Sequence, residues 1–474
     1  MMRTLFLHPP SYKGFDGGAA SRYQAKREVR SFWYPTWLAQ VAAIVPGSKL
    51  VDAPPADLTL ADVLPLARDH DLVVLHTSSP SFTGDVAVAE ALKRENPKLM
   101  IGFVGAKVAV EPEESLLASE AIDFVAREEY DFTILHIAEG HPLAEVDGIS
   151  FRGDDGTVVH TPDRPILTEM DRLPYVTPVY ARDLDVNNYY NGYLQHPYVS
   201  LYTGRGCRSR CTFCLWPQTV GGHLYRTRSV EHVMGEMAGF RGLFPSVKEV
   251  FFDDDTLTDD RRRTEQIARG MGRLGLTWAC NAKANVPYET LKIMRDNGLR
   301  LLLVGYESGN QQILINIKKG IRVERARQFT KDCHDLGIKI HGTFIVGLPG
   351  ETRETIQETI RYAKELNPQS LQVSIAAPYP GTALYRQAKE NGWLPDEDAT
   401  LLDEHGVQSA MISYPNLNRT EIYDSVESFY KQFYFRAGKI AELSAEMLRS
   451  PQVMKRRLRE GVEFVSFMRH RGQD

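Results

Sequence analysis

The sequence predicts an α/β chain in three parts: a doubly wound parallel sheet over residues 1–150, a (β/α)6 partial barrel over 198–395, and a helical region over 396–474. Two observations carry this prediction. Short β-branched or leucine-rich runs alternate with helical patterns before residue 150 and again after residue 198, and such alternation builds parallel sheets covered by helices. Between the two series the character changes from about residue 147, with the hairpin-like "DGISFRGDDGTVV" followed by the proline-punctuated "RLPYVTPVY", which marks a linker with a hairpin over 151–197.

The first series consists of "TLFLH" (4–8), "KLVDA" (49–53), "LVVLH" (72–76), "MIGFVG" (100–105) and "IDFVAR" (122–127). Ligands in this architecture sit beyond the carboxyl ends of the strands, where the chain places "HPPSYKGFDGG" (8–18), "HTSSPSF" (76–82) and "GAKVAV" (105–110). None of these is the G-x-G-x-x-G of a dinucleotide site. The second series is "YVSLYT" (198–203), "VKEVFFDD" (247–254), "LTWACNAK" (276–283), "LRLLLVGYE" (299–307), "IKIHGTFIVG" (338–347) and "QSLQVSIAAP" (369–378). After about residue 396 no strand pattern remains.

A chain of 474 residues, 43% of them hydrophobic, fills the cores of two or three domains. Its formal net charge of −5 supplies no global basic field for nucleic acid. The start, "MMRTLFLHPP", lacks the parts of a secretory signal, and no apolar run approaches a membrane span. A cytoplasmic protein is the expectation. Five cysteines, three of them clustered, do not suit a disulfide framework.

In a β/α barrel, only the rim at the strand ends gathers residues from distant positions into one pocket. Here the polar candidates all fall on that rim. "GRGCRSRCTFC" follows the first barrel strand, Asp253, Asp254 and Asp255 end the second, Asn281 and Lys283 the third, Glu307 the fourth, and Gly347 and "PYPGT" (378–382) the fifth and sixth. Cys207, Cys211 and Cys214 have the spacing C-x3-C-x2-C, and Gly204 and Gly206 let the loop curl so that three thiolates converge. Closed structural metal sites take four protein ligands. A cubane held by three thiolates keeps one iron open for chemistry, whereas a zinc site would recruit His223 as its fourth ligand. By rim position, Cys280 is a candidate hydrogen donor and Lys283 a candidate partner for a carboxylate or a substrate hydroxyl.

With these residues in place the sequence resembles the radical S-adenosylmethionine (SAM) superfamily, whose three-cysteine loop binds a [4Fe–4S] cluster with its open iron chelated by SAM. "YRTRSVEHV", "FFDDDTLT", "GYESGN", "GTFIVGLPGET" and "PYPGTALY" extend the likeness to the subclass that carries an N-terminal cobalamin-binding-type domain. The resemblance implies that Phe213 lies against the adenine, Asp254 and Asp255 near the SAM amino group, Glu307 at the ribose hydroxyls, and the backbone of Val346 and Gly347 beside the adenine. "SFWYPTWLAQ", "CLWPQTVGGH", "WACNAKANVPYETLK" and "LLLVGYESGNQQIL" are similar to the hopanoid-biosynthesis-associated radical SAM proteins. That likeness implies a lipid-linked substrate, glucosaminyl bacteriohopanetetrol, whose amino sugar is contracted to a cyclitol ether after hydrogen abstraction. A reducing partner such as flavodoxin or ferredoxin is implied as well.

Cobalamin stays open at this point. The motif D-x-H-x-x-G is absent, although His8 and His76 lie at strand ends of the first domain. The rival readings are a cobalamin-dependent radical SAM methyltransferase and a non-catalytic cofactor-binding or sensing module. From Lys431 to Asp474 there are ten Lys/Arg and five Asp/Glu, interleaved with "FYKQFYF" and "FVSFM". Such a tail is expected either to cap the barrel or to rest peripherally on the inner membrane surface.

Overall fold

The computed structural model describes residues 1–10, 25–26, 28–394, 400–403, 406–448 and 451–471. Residues 11–24, most of the rim segment 8–18, lie outside the described residues. Among the described residues the first sheet has seven strands: β1 Thr4–His8, β2 Lys49–Asp52, β3 Leu72–His76, β4 Met100–Val104, β5 Phe124–Ala126, β6 Ile149–Arg152 and β7 Val158–His160, in spatial order 2-1-3-4-5-6-7. β1 to β5 pair in parallel, and β6 and β7 add an antiparallel hairpin to the edge. β1 and β3 are buried at every position, as expected of central strands covered by helices on both faces.

Two short strands, β8 Tyr198–Leu201 and β9 Gly204–Arg205, open the second unit, and β10 Arg226–Thr227 returns antiparallel onto β9. β11 Glu249–Phe252, β12 Trp278–Ala282, β13 Leu299–Glu307, β14 Lys339–Val346 and β15 Ser370–Ile375 complete a parallel six-stranded sheet in the order 15-14-13-12-11-8. Simple sequential order around a curved sheet is the topology of the partial barrel. The helix Arg419–Tyr434 packs along β15: Tyr430 Oη accepts from the backbone N–H of Val373 at 2.9 Å and donates to Glu28. The helices Ala437–Met447 and Pro451–Arg471 follow. Among the described residues no helix is long and apolar enough to cross a membrane.

The strand-end rims of the two sheets are clamped together. Arg205, on β9, makes a two-pronged pair with Asp131 beyond β5, at 2.6 and 3.0 Å. Arg226, on β10, makes another with Glu129, at 2.7 and 2.6 Å. All four side chains are buried. Burial lowers the Arg205 pKa, but Asp131 and Glu129 outweigh it and hold the guanidinium charged. The Arg205 guanidinium also lies 4.1 Å over the Trp37 ring, and Trp37 stacks on Trp216 with 6.4 Å between ring centroids. Removing one member of a buried ion pair strands its partner's charge. Asp131→Asn is therefore expected to lower unfolding stability by about 3 kcal/mol or more, read from urea denaturation; an unchanged midpoint would contradict the clamp.

Candidate functional site

The cluster loop is shaped by glycine and by one amide. Gly206 has φ +86°, and a Cβ there would fall against the carbonyl of Leu224 and within 2.9 Å of that of Gly221. The backbone at this point therefore accepts no side chain. Three turns of loop later, Gln218 on the helix Leu215–Thr219 donates through Nε2 toward the carbonyls of Cys211, Thr212 and Cys214, at 3.2, 3.2 and 2.7 Å. Its Oε1 accepts from the Ala383 N–H at 2.9 Å, tying the loop to the far end of the barrel. The sequence carries no signal for this role, because a glutamine within a helix is unremarkable until the carbonyls beneath it are located.

The three thiols are not in disulfides. Cys207 and Cys211 are buried and Cys214 is half-buried, lining the cavity described below. Cys207 Sγ lies 3.7 Å from Thr256 Oγ1, and Cys211 Sγ lies 3.9 Å from the Lys318 carbonyl. His223 turns Nδ1 toward the Cys207 carbonyl at 3.1 Å, a contact that orients it onto backbone. Among the described residues, no three His, Cys, Asp or Glu side chains close on a point in the manner of single-ion ligands. The donor set is three thiols alone, which suits an iron–sulfur cluster.

A cation stands beside these thiols. Lys319 Nζ is 2.5 Å from Glu307 Oε1, both side chains being largely buried. Burial pulls the Lys319 pKa down, but Glu307 and the Cys211 thiol outweigh it and raise the value. Burial likewise pushes the Cys211 thiol up, opposed by the charges of Lys319 and Lys283. Gly305 makes room for the ion pair: a Cβ there would press on Glu307 Oε1 and lie 2.8 Å from Lys319 Nζ. Glu307 itself has φ +61°, a left-handed conformation that turns its side chain across the end of β13.

Inside the barrel lies a cavity of about 270 Å³, near the lower end of roughly 300–1,000 Å³ for small-molecule sites. Phe213, Cys214, Asp253, Asn281 and Glu307 line it from the rim. Thr343, Phe344 and Ile345 of β14, and Gln372 and Ser374 of β15, form the far wall. Trp33 and Tyr193 close it from the first domain and the linker. The donors and acceptors suit a zwitterionic nucleoside: an aromatic ring beside the thiols, carboxylates for ammonium and hydroxyl groups, and amides for a heteroaromatic edge.

Of the residues singled out in the sequence, Phe213, Cys214 and Glu307 line this cavity, while Cys207 and Cys211, on the same loop, are buried outside its lining. Others lie elsewhere. Asp254 is fully buried on the opposite face of the strand end, where Thr203 donates to it through N–H and Oγ1 at 2.6 and 2.7 Å and Tyr225 Oη at 2.9 Å. Burial raises its pKa against the pull of Arg263 and these donors. Asp253 is the carboxylate that faces the cavity, receiving Asn281 Nδ2 at 2.9 Å. Asp255 lines a small cleft with Trp37, Arg205 and Trp216. Cys280 corrects another expectation: it is fully buried and its neighbour Asn281 takes the cavity side, because successive strand residues point to opposite faces. Burial, then Asp254, pushes its thiol well up, so it is a core residue. Lys283 stays on the rim, held by Asp259 at 2.8 Å. Val346 and Gly347 lie just past the cavity wall, and both polar groups of Gly347 are taken, N–H by Glu351 at 2.6 Å and carbonyl by Tyr414 at 2.8 Å.

In the first domain, His8 is bound to Asp52 at 2.6 Å, and Asp52 also accepts from Tyr189 at 2.6 Å. His76, at the end of β3, is buried with no hydrogen-bond partner at Nδ1, and burial lowers its pKa to about 3. Nearby, burial raises Asp85 to about 7 although Thr77 and Ser81 donate to it. The helix Ala106–Val110 beyond β4 leans on the helix Leu215–Thr219, so this rim adjoins the cluster loop. A neutral imidazole and hydroxyl groups at a strand-end rim fit the contacts of a cobalamin or another large ligand.

Residues 201–363 match the family model described as the radical SAM superfamily. The chain is 29% identical over 406 residues to an uncharacterized methyltransferase of Pyrococcus horikoshii, covering 83% of this chain and 84% of that one. It is 28% identical over 332 residues to the cytidylyl-2-hydroxyethylphosphonate methyltransferase of Streptomyces wedmorensis, covering 62% and 61%. Its fold is similar to the solved structure of the cobalamin-dependent S-adenosylmethionine radical enzyme OxsB with aqua-cobalamin and S-adenosylmethionine bound, with a TM-score of 0.71 at 16% identity over 99% of this chain and 71% of that one. Residues 201–363 are accordingly a radical SAM domain. Its cofactors are a [4Fe–4S] cluster and SAM.

Two outcomes follow from this geometry. Gln218→Leu leaves three loop carbonyls without their donor, and iron and acid-labile sulfide retained after anaerobic gel filtration should fall, with about tenfold weaker retention. Retention equal to wild type would remove the role given to Gln218. Glu351 is buried with Oε1 unpartnered, and burial raises its pKa from 4.5 to about 8. Between those values the native state keeps a proton that the unfolded chain has lost, so this group lowers stability as pH rises, by up to about 1.4 kcal/mol per pH unit. Glu351→Gln should flatten the fall in urea midpoint from about pH 5 to about pH 8; an unaltered slope would place the proton elsewhere.

Proposed function

We propose that this chain is a radical SAM enzyme of the cobalamin-dependent kind that transfers a methyl group. The observation that carries the reading is the apposition of two ligand rims, the strand ends of the first sheet clamped against the cluster loop by Arg205 and Arg226. A cofactor held by the first rim would face the mouth of the barrel. The two relatives named above are called methyltransferases, and the OxsB likeness spans the first domain as well as the barrel.

When bound, the reduced cluster and SAM supply a 5′-deoxyadenosyl radical that removes a hydrogen atom from substrate. The protein's own residues hold and screen. Cys207, Cys211 and Cys214 hold the cluster, and Phe213 and Glu307 hold the nucleoside, with Asp253 and Asn281 facing its amino acid portion. Trp33, Phe344 and Tyr379 keep water from the cavity. Lys319 balances the charge of the thiolates and of Glu307. A low-potential carrier such as flavodoxin or ferredoxin supplies the electron.

A specific observation favours a second reading, contraction of the amino sugar of a lipid-linked substrate such as glucosaminyl bacteriohopanetetrol. Trp33 of "SFWYPTWLAQ" and Trp216 of "CLWPQTVGGH", segments far apart in the chain, both line the cavity. Gln372, Ser374 and Gln408 offer amide and hydroxyl groups there to a polyol. The by-products separate the two. Reconstituted full-length enzyme, given this lipid, SAM and reductant under anaerobic conditions, yields S-adenosylhomocysteine in a cobalamin-dependent manner if a methyl group moves. Contraction yields 5′-deoxyadenosine and methionine with no S-adenosylhomocysteine, and a lipid of unchanged mass with an altered NMR spectrum. Failure to form S-adenosylhomocysteine at any cobalamin loading, with any acceptor offered, would overturn methyl transfer.

A further inference from the structure

The last helix, Pro451–Arg471, has two faces of opposite character. Its inner face is engaged. Phe467 is buried, Phe464 packs edge-on against Tyr430 and Tyr434 at 5.4 and 5.7 Å between centroids, and Glu460 accepts from Tyr190 Oη at 2.6 Å. Of the aromatic residues that distinguish the tail in the sequence, Phe429, Tyr430, Phe433, Phe464 and Phe467 are thus used in packing, whereas Phe435 is exposed. The outer face presents Met454, Leu458, Val462 and Val465, which are 42, 55, 72 and 44% exposed. At 3.6 residues per turn these four fall in one stripe, roughly 80° wide.

What surrounds the stripe is cationic. Lys455 borders it on one side and Arg469 ends it, both exposed, while Arg459 lies 3.9 Å over the Tyr190 ring and pairs with Glu463. The carboxylates of this helix turn away: Glu460 pairs with Arg456 and Arg457 on the inner side, and Glu463 with Arg459 and with the backbone N–H of Arg30. We propose that this face docks on an anionic lipid surface, the aliphatic stripe entering the boundary between headgroups and acyl chains and the basic residues meeting anionic headgroups. A second copy of the chain is a poorer occupant, because a two-fold contact through this stripe would bring Lys455 and Arg469 against their own copies.

The helix is also joined to the cavity wall. It holds Arg30 and Tyr190, and Trp33 and Tyr193, three residues further along each segment, line the cavity. A docked helix would bring that wall close to the bilayer, which suits a lipid-linked substrate; this consequence rests on the second reading above, whereas the docking does not.

The test is flotation of the purified full-length protein with vesicles of phosphatidylcholine alone or mixed with phosphatidylglycerol. The wild type should float with the mixed vesicles and not with phosphatidylcholine, and added salt should release it. The doubly substituted Leu458→Glu/Val462→Glu protein, altered only at solvent-facing side chains, should partition at least about tenfold less, as should Lys455→Glu/Arg469→Glu, with circular dichroism and thermal midpoint unchanged. Failure of the wild type to float, equal flotation with both vesicle types, or equal flotation of the variants would overturn the proposal. So would concentration-dependent dimerisation by analytical ultracentrifugation that Leu458→Glu/Val462→Glu abolishes, which would assign the face to a second copy. Because flotation requires neither cluster nor SAM, its result is independent of which reaction the cavity performs.

Discussion

Everything in this molecule depends on holding three thiols close together on one short loop without a fourth. Thiolates repel one another and a tight loop leaves carbonyls unpaired, so the loop needs support from outside itself. Gly206 supplies the turn that a side chain would block, and Gln218 places one amide against three carbonyls. The two arginine clamps then fix both strands flanking the loop to the other domain. The first domain is therefore part of the site's scaffold whatever else it binds. Buried ion pairs are weak sources of net stability but strict about geometry, and geometry is what an open-coordination cluster requires.

The charge arrangement follows the same logic. A buried lysine beside buried thiols would be costly alone, and Glu307 shares it at 2.5 Å. That carboxylate faces the cavity as well, so one residue both supports the cation near the cluster and lines the nucleoside pocket. Gly305 and the left-handed backbone of Glu307 are the local price of placing it there. Motifs such as "GYESGN" thus have a physical content: a glycine that yields space, and a carboxylate turned across the strand end.

Much of this was legible in sequence because it depends on local pattern. The two alternating series located the parallel strands of both sheets, since buried parallel strands are apolar runs bounded by turns, whereas the hairpin of β6 and β7, expected in the linker, instead extends the edge of the first sheet. The C-x3-C-x2-C spacing and the motifs around Phe213 and Glu307 pointed to residues of which Phe213, Cys214 and Glu307 line the cavity. The acidic triplet was not resolved in the same way. Asp253, Asp254 and Asp255 are equivalent as text, yet the strand sends them to three environments: the cavity, a clasp made by Thr203 and Tyr225, and the cleft beside Trp37. Cys280 and Asn281 part in the same manner, one into the core and one into the cavity.

By itself, the sequence determined the class of architecture and singled out the three-cysteine loop, because periodicity, turn residues and cysteine spacing are properties of neighbouring positions. Only the tertiary structure decided which carboxylate faces the cavity, which amide supports the loop, and that Phe464 and Phe467 of the last helix pack inward while an aliphatic stripe faces out. Those outcomes turn on strand parity, helix rotation and contacts between residues far apart in the chain, such as Gln218 with Ala383 and Arg226 with Glu129, 165 and 97 positions apart. Such contacts are set by how whole elements pack, and no short stretch of chain encodes them.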